Sequence, residues 1–326
     1  MEQGLPQLEN HKVVVLCITY NQSKYIEDTL NGFVIQQTDF PFLCCVFDDA
    51  SSDGEQGVLK KWVENHCNPN EIEVYDHPLT IILKAPDKDN PNCIYVIHLQ
   101  KFNAWGKPEK KGLLDYYRQY AEYIAFCEGD DYWIDSLKLQ KQVDFLESNP
   151  DYSLCFHNAI RLNERVAVKE KIASFCFFYA DRQISTEEII ADWCIPTASL
   201  LYRREVLKNI QLPCFFSGDY TLELILASIG KVYYLDRYMS VYRINSGGVS
   251  GGISAKKWAE QLCVLLDWYD EFTSYKFKAL ILKRKKGANQ FARYCTLKQK
   301  NTLLPFVLMP RYMLQKIKDK INKVVG

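Results

Sequence analysis

The sequence has no excess of either charge: 40 Lys and Arg balance 40 Asp and Glu over 326 residues. A chain so balanced offers no bulk electrostatic reason to bind nucleic acid, and no nucleic-acid partner is expected. It also lacks any run of 18 uncharged apolar residues, which excludes an ordinary transmembrane helix. Met1 to His11 is polar and contains Pro6, without the basic and apolar regions of a signal peptide. There is no Cys-x-x-Cys pair among the twelve cysteines. Several of them (Cys17, Cys44, Cys45 and Cys127) lie inside apolar runs. That placement argues for buried, reduced thiols over a zinc site or a disulfide framework. Together these absences predict a cytoplasmic protein. Internal repeats and low-complexity tracts are absent as well.

What is present suits a globular α/β chain. Hydrophobic residues make up 48% and aromatics 13%, enough for a substantial core. Val13-Val14-Val15-Leu16-Cys17-Ile18 is continuous, apolar and largely β-branched, as in a strand buried on both faces of a parallel sheet. Ser23 follows as a candidate N-cap, with Ile26, Leu30, Phe33 and Val34 at helical spacing. Phe42 to Phe47 reads as a second buried strand, followed by a helix around Val58 to Asn65. Strands are predicted at Ile72 to Tyr75, Tyr95 to Leu99, Tyr123 to Cys127, Thr197 to Tyr202 and Lys231 to Leu235. Helices are predicted over Asp115 to Glu122 and from Leu137 to a stop at Asn149-Pro150. Ser185-Thr186-Glu187-Glu188 fits a capping box. Asp219 opens a further helix that ends at Gly230 as its C′ glycine, and Tyr242 to Gly252 reads as a glycine-rich loop.

Three apolar strands each end in a polar cluster: Thr19-Tyr20-Asn21, Asp48-Asp49, and Glu128-Gly129-Asp130-Asp131. Open α/β sheets bind ligands beyond the carboxyl ends of their strands, so the clusters are expected to share one crevice. Crowded carboxylates raise one another's pKa unless a cation joins them. Oxygen donors of this kind suit Mg²⁺ or Mn²⁺, completed by phosphate oxygens of a substrate. The flanking Phe126 and Trp133 argue against a merely solvated acidic loop, whereas Asp53 reads as an ordinary loop residue. The first strand lacks the glycines of a dinucleotide fingerprint, which disfavours a Rossmann oxidoreductase. No P-loop occurs, and no basic glycine-rich loop of a nucleotidyltransferase.

The stretches VVVLCITYNQSKYIEDTL, FLCCVFDDASSDG, YIAFCEGDDYW and FFSGDYTLELILASIGKVYYLD, in that order, resemble the inverting nucleotide-sugar transferases of glycosyltransferase family 2. The resemblance spans about residues 12–250 and implies a GT-A fold, a mainly parallel mixed sheet flanked by helices. It implies that Thr19 contacts the nucleoside, that Tyr20 packs on the base and that Asp49 hydrogen-bonds a pyrimidine ring. It implies that the acidic segment meets the ribose and holds the metal, with Asp131 or Asp130 as ligand. Glu128 stands where the family has Asp, one methylene shorter, which bears on its ribose contact. Asp219 matches the catalytic base, although Gly218 replaces the usual preceding Glu. Asp219 also reads as a plain N-cap. Arg243 is placed to reach the diphosphate or to form a surface ion pair, and His157 is a core or acceptor-side residue.

The sequence therefore predicts a metal-dependent, inverting, hexose-transferring enzyme with Mn²⁺ or Mg²⁺. Its donor would be a nucleotide sugar, uridine-linked, and its acceptor a hydroxyl of a glycan or lipid-linked molecule in surface-polysaccharide synthesis. The alternative is a catalytically silent sugar-nucleotide-binding or assembly subunit. A catalytic domain over residues 1–254 and a helical, basic extension over 255–326 are expected. From Lys276 onward, 14 Lys and Arg face one acid, Asp319. They flank the apolar Leu303 to Met309, a pattern suited to peripheral attachment on an anionic membrane surface at its cytoplasmic side.

Overall fold

The strand β1 (His11–Thr19) forms because its Val13 to Cys17 run can bury both faces, and all five side chains are shielded from solvent. It lies parallel between β2 (Phe42–Asp48), with Thr19 beside Asp48, and β6 (Ala121–Phe126), with Leu16 beside Phe126. In this computed structural model the residues described are 4–104, 106–166, 172–213, 215, 217–247 and 253–299. Helix α1 (Ile26–Val34) connects β1 to β2, and α2 (Glu55–His66) leaves β2. The strands β3 (Glu73–His77), β4 (Thr80–Pro86) and β5 (Cys93–Gln100) complete that side, β5 parallel to β2 and the others antiparallel. Helix α3 (Pro108–Arg118) precedes β6.

Beyond β6 come β7 (Tyr132–Trp133), α4 (Lys138–Ser148), β8 (Tyr152–Asn163), β9 (Ile172–Ser174), β10 (Arg182–Ile184), α5 (Thr186–Ala191), β11 (Leu201–Arg203), α6 (Gly218–Ile229) and β12 (Lys231–Ile244). Two helices follow, α7 (Ala255–Phe272) and α8 (Lys278–Gln299). Among the described residues one mixed sheet runs β10-β12-β8-β11-β6-β1-β2-β5-β4-β3, with β7 on β12 and β9 on β8. Its core joins Val13, Val15, Phe42, Cys44, Tyr95 and Ile97 to Ile26, Leu30 and Phe33 of α1 and Leu59 and Trp62 of α2.

Chain contacts define two compact units. The first holds the sheet and α1 to α4; it runs to Ile184 and takes in Cys194–Gln211 and Ile229–Gly247. The second takes Ser185–Trp193, Leu212–Ser228 and the described residues past 252, and so gathers α5 to α8. Within it, α5 begins with the expected capping box, Ser185 and Glu188 each capping the other. The Tyr220 hydroxyl donates to Ile189 O at 2.9 Å, and Ser228 Oγ lies 2.6 Å from Tyr269 Oη. No helix among the described residues is long and apolar enough to cross a membrane.

Several local expectations change for identifiable reasons. Helix α1 starts at Ile26 with Tyr25 at its N-cap and no side-chain cap; Ser23 lies in the turn before it, its backbone N–H donating to Asp53 Oδ2 at 2.9 Å. Residues 197–199 wind into a 3-10 turn, and helix α3 lies seven residues earlier than read, opening on Pro108. Gly230 does not adopt a left-handed φ; a Cβ there would lie 2.6 Å from Ser153 Cβ, so close approach, not capping, demands glycine. Tyr242 and Arg243 belong to β12 and not to a loop. The eleven described cysteines are free thiols, eight of them buried. The rest of the expected loop, residues 248–252, and the apolar patch at 303–309 lie outside the described residues.

Candidate active site

The tips of β1, β2 and β6 are tied together by backbone hydrogen bonds. Asp49 N–H donates to Thr19 O at 3.0 Å, and Gly129 N–H to Ile18 O at 3.1 Å. The polar clusters therefore continue the sheet's register beyond its last rungs. Two residues at these turns, Asn21 (φ 53°) and Ala50 (φ 58°), occupy the left-handed region that L side chains avoid. Their loops are sewn to each other: Asn21 N–H donates to Ser51 Oγ, and Ser52 N–H to Asn21 Oδ1, both at 2.8 Å.

Thr19 is buried, its hydroxyl against Gln22 Oε1 and Glu55 Oε1. Glu55 Oε2 accepts from Gln22 N–H at 2.8 Å and from Ser51 Oγ at 2.9 Å. One fully buried carboxyl thus braces two strand-tip loops, and burial raises its pKa. Sequence reading missed Glu55, because its partners lie up to 36 residues away. Tyr20 stands just past the strand and is exposed. Asp48 faces Gln56 and Ser51 through Oδ1, while its buried Oδ2 has no partner. Asp49 points its carboxylate to Ala104 N–H and to the ammonium of Lys110, each at 2.8 Å. Burial lowers the pKa of Lys110, and the Asp49 charge opposes that shift. This buried ion pair is a second feature the sequence did not disclose.

Gly129 is what lets β6 end here. A Cβ on it would lie 2.2 Å from Thr19 Oγ1 and 2.6 Å from Thr19 Cβ. We expect Gly129→Ala to force β1 and β6 apart at their tips and to cost ~1–3 kcal/mol. Urea unfolding measures this; an unchanged midpoint would mean that the Thr19 loop yields without cost.

Glu128, just before Gly129, is exposed, while Asp130 and Asp131 after it are buried. Asp130 Oδ2 accepts from Asn245 Nδ2 at 2.7 Å, and Asp131 Oδ1 accepts from the backbone N–H of Arg243 at 2.8 Å. Asp131 Oδ2 is buried with no partner. Burial raises the pKa of both acids; for Asp131 the charges of Asp130 and Glu128 push it further, well above the usual carboxylate range. Thr29 Oγ1 pins the segment from behind, donating to Asp131 O at 2.6 Å. Gly32 lets α1 approach the same segment; a Cβ there would meet Trp133 N at 2.7 Å.

The Arg243 guanidinium, expected to reach a diphosphate, serves protein acceptors in this structure. Nη1 donates to Asp130 O and Nη2 to Asp28 Oδ2, each at 2.8 Å, and the group lies between the rings of Tyr25 and Tyr132. Arg243 and Asn245 together clasp the two acids, and Asn245 is a site residue that sequence reading missed. His157 is buried in β8 with Nδ1 against Asn158 O at 2.8 Å; burial lowers its pKa well below the usual value, and it serves the core.

Asp219 belongs to the second unit. Helix α6 begins one residue before it, so Asp219 stands inside the first turn. Its Oδ1 accepts from Ser217 Oγ and from Tyr220 N–H, both at 2.8 Å.

The first unit therefore brings together Thr19, Asp49, Asp130, Asp131 and Arg243. The donor set around Asp131 is all oxygen, and its orphaned Oδ2 and crowded charge fit a hard dication. No group of three or more His, Cys, Asp or Glu ligands occurs among the described residues. A metal here would rest on one or two carboxylates, with phosphate oxygens and water completing its shell.

A parallel core with acids gathered at its strand tips, extended by β8, β11 and β12, is the GT-A-like fold of nucleotide-sugar glycosyltransferases. Solved structures agree. S. aureus TarS 1-349 in complex with UDP-GlcNAc superposes with a TM-score of 0.61 at 17% identity, over 90% of this chain and 76% of that one. The mannosyltransferase PcManGT from Pyrobaculum calidifontis, in complex with GDP-Man and Mn²⁺, gives 0.53 at 15% identity, over 95% and 81%. Among curated relatives, an uncharacterized protein of Mycobacterium tuberculosis is 30% identical over 235 residues, 72% of this chain and 59% of that protein. The matched region thus spans well under two thirds of that relative. An uncharacterized glycosyltransferase of Nostoc sp. is 23% identical over 75% of this chain and 67% of its own. The Escherichia coli enzyme WfaP, a UDP-Glc:alpha-D-GlcNAc-diphosphoundecaprenol beta-1,3-glucosyltransferase, is 26% identical over 39% of this chain and 48% of its own. No protein-family model matches the chain. In fold it is a GT-A-like chain, and it resembles glycosyltransferases of surface-polysaccharide synthesis.

Proposed function

We propose that the protein is a metal-dependent, inverting glycosyltransferase that moves a hexose from a nucleotide sugar to a hydroxyl of a glycan or lipid-linked acceptor. The observation that carries this reading is the clasped pair Asp130 and Asp131 beside Thr19 and Asp49 at the carboxyl ends of adjacent central strands. A uridine donor is favoured by the UDP-GlcNAc complex of TarS and by WfaP, a lipid-linked acceptor by WfaP. PcManGT, solved with Mn²⁺, supports the cofactor. In this reading Thr19, Tyr20, Asp49 and Glu128 hold the nucleoside, and Arg243 acts by fixing the acids. Asp131, with Asp130, would hold Mn²⁺ or Mg²⁺. Once bound, such an ion would neutralise the departing diphosphate. Asp219 takes the acceptor hydroxyl proton while that oxygen attacks the anomeric carbon from the opposite face.

The test is a thermal-shift screen of UDP, GDP, UDP-glucose, UDP-GlcNAc and GDP-mannose with and without Mn²⁺, followed by release of nucleoside diphosphate. A ligand at 100 times its dissociation constant should stabilise by ~2.7 kcal/mol. Failure of every nucleotide to shift the midpoint would end this reading. Binding without turnover would favour the silent subunit.

We further place the protein in the cytoplasm, at the inner membrane face, its catalytic part over residues 1–254 and its basic extension over 255–326. Sedimentation with anionic vesicles should retain the full chain and lose a chain truncated after Ser274, since each near-surface lysine contributes ~1 kcal/mol. Equal behaviour of the two chains would remove the membrane role.

A further inference from the structure

Helix α6 buries almost its whole circumference, from Tyr220 through Ala227. One of those residues is an acid. Glu223 has no exposed surface, and neither of its oxygens has a hydrogen-bond partner of ordinary geometry. An isolated carboxyl at such a place costs stability, and nothing in packing alone requires it. Its place along the helix gives it a use. It lies four residues after Asp219, so the two side chains share one helix face, with Cβ atoms about 5–6 Å apart at that spacing.

We propose that Glu223 is a positioning residue for Asp219: its protonated carboxyl, unpartnered in this structure, turns its O–H along the helix to the Asp219 carboxylate when the acceptor binds. The inference rests on the assignment of Asp219 as the acceptor-side base. The two acids sit in opposed environments. Asp219 occupies the first turn, where the helix dipole favours a negative charge. Glu223 lies one turn deeper, where burial, and then the Asp219 charge, hold its carboxyl well above the usual range. The indole of Trp193 is the donor that opposes this shift, and among the described residues these are the groups that act on it. Environments that separate two neighbouring carboxyls in this way assign the proton to one and the charge to the other. In the reaction the acceptor proton passes to the Asp219 carboxylate as the new C–O bond forms and the bond to the diphosphate oxygen breaks. Glu223 keeps its own proton throughout and, by that bond, adds to the hold that Ser217 and the Tyr220 N–H have on the base.

The test compares Glu223→Gln, which keeps an N–H donor, with Glu223→Leu, which keeps only the volume. Release of UDP from UDP-GlcNAc or UDP-glucose, or of GDP from GDP-mannose, is followed with Mn²⁺ and with water as acceptor. The Gln variant should stay within about threefold of the wild-type kcat. The Leu variant should lose about tenfold in kcat with an unchanged KM and an unchanged or raised thermal midpoint. Wild-type kcat in the Leu variant, or losses in both variants that follow a lowered midpoint, would overturn the proposal.

A second measurement needs no turnover. The folded protein holds on Glu223 a proton that the unfolded chain releases, so the wild-type midpoint should fall as pH rises above the ordinary carboxylate range. Glu223→Gln should flatten that fall, and Asp219→Asn should reduce it. A fall untouched by Asp219→Asn would show that the two acids do not communicate. If no donor turns over even in the wild type, the proposed function fails by itself, while the midpoint comparison still decides the pairing.

Discussion

Asp131→Asn is expected to raise the thermal midpoint of the ligand-free protein and, in the same protein, to abolish Mn²⁺-dependent donor binding. Both effects follow from one crowded carboxylate. Asp131 is buried, its Oδ2 is unpartnered, and Asp130 and Glu128 add repulsion. Its folded pKa lies above its unfolded value, so the folded state binds the extra proton. The cost of ionising it is absent below the unfolded carboxylate pKa, grows as pH rises, and is complete above the folded pKa. At neutral pH the amide removes that cost, worth ~1–3 kcal/mol, while its Oδ1 still accepts from Arg243 N–H. For a chain of this size each kcal/mol moves the midpoint by ~1.5 °C. Calorimetry with and without UDP and Mn²⁺ reads both effects. Normal Mn²⁺-dependent binding by the variant would remove Asp131 from the metal site, and a lowered midpoint would mean that its charge is compensated.

Asp219→Asn should leave donor binding intact and reduce turnover by ~10²–10⁴-fold, the usual cost of losing a general base. Deprotonation acts on the acceptor, so the thermal shift produced by the nucleotide should not change. Asn keeps the oxygen that accepts from Ser217 and Tyr220 N–H, so the first turn of α6 should survive. Turnover at the wild-type rate would exclude Asp219 as base. Unfolding of the variant would instead assign it to the helix start.

What the sequence disclosed and what it withheld have a common cause. The runs Val13 to Cys17 and Phe42 to Phe47 announce buried parallel strands because their apolar signal is local and continuous. The acids at their tips were legible for the same reason, as abrupt ends to those runs. The partners of the acids were not. Lys110 lies 61 residues from Asp49, and Asn245 lies 115 from Asp130. Such pairings are set by strand order, which periodicity does not encode. Strand β12 reads as five residues in the sequence but continues to Ile244, because bulges between Leu235 and Ser240 interrupt its alternation. Arg243 therefore looks like a loop residue in the sequence, with no sign of its clasping role. Gly230 reads as a helix cap because a glycine required by a distant side chain looks identical in sequence to one required by its own φ.

The clasp on the acids also orders events in time. Arg243 grips Asp131 across 112 residues and Asp28 across 215. A ribosome adding ~5–20 residues per second completes the acidic turn on the order of ten seconds before it completes the strand that holds it. Throughout that interval β1, β2 and β6 can pair, but Asp130 and Asp131 have neither the Arg243 N–H nor the Asn245 amide. The clasped pair of acids therefore arrives late in synthesis, with strand β12. A nascent chain arrested before residue 243 would hold the backbone of the acidic segment through Thr29 and leave both carboxylates unclasped.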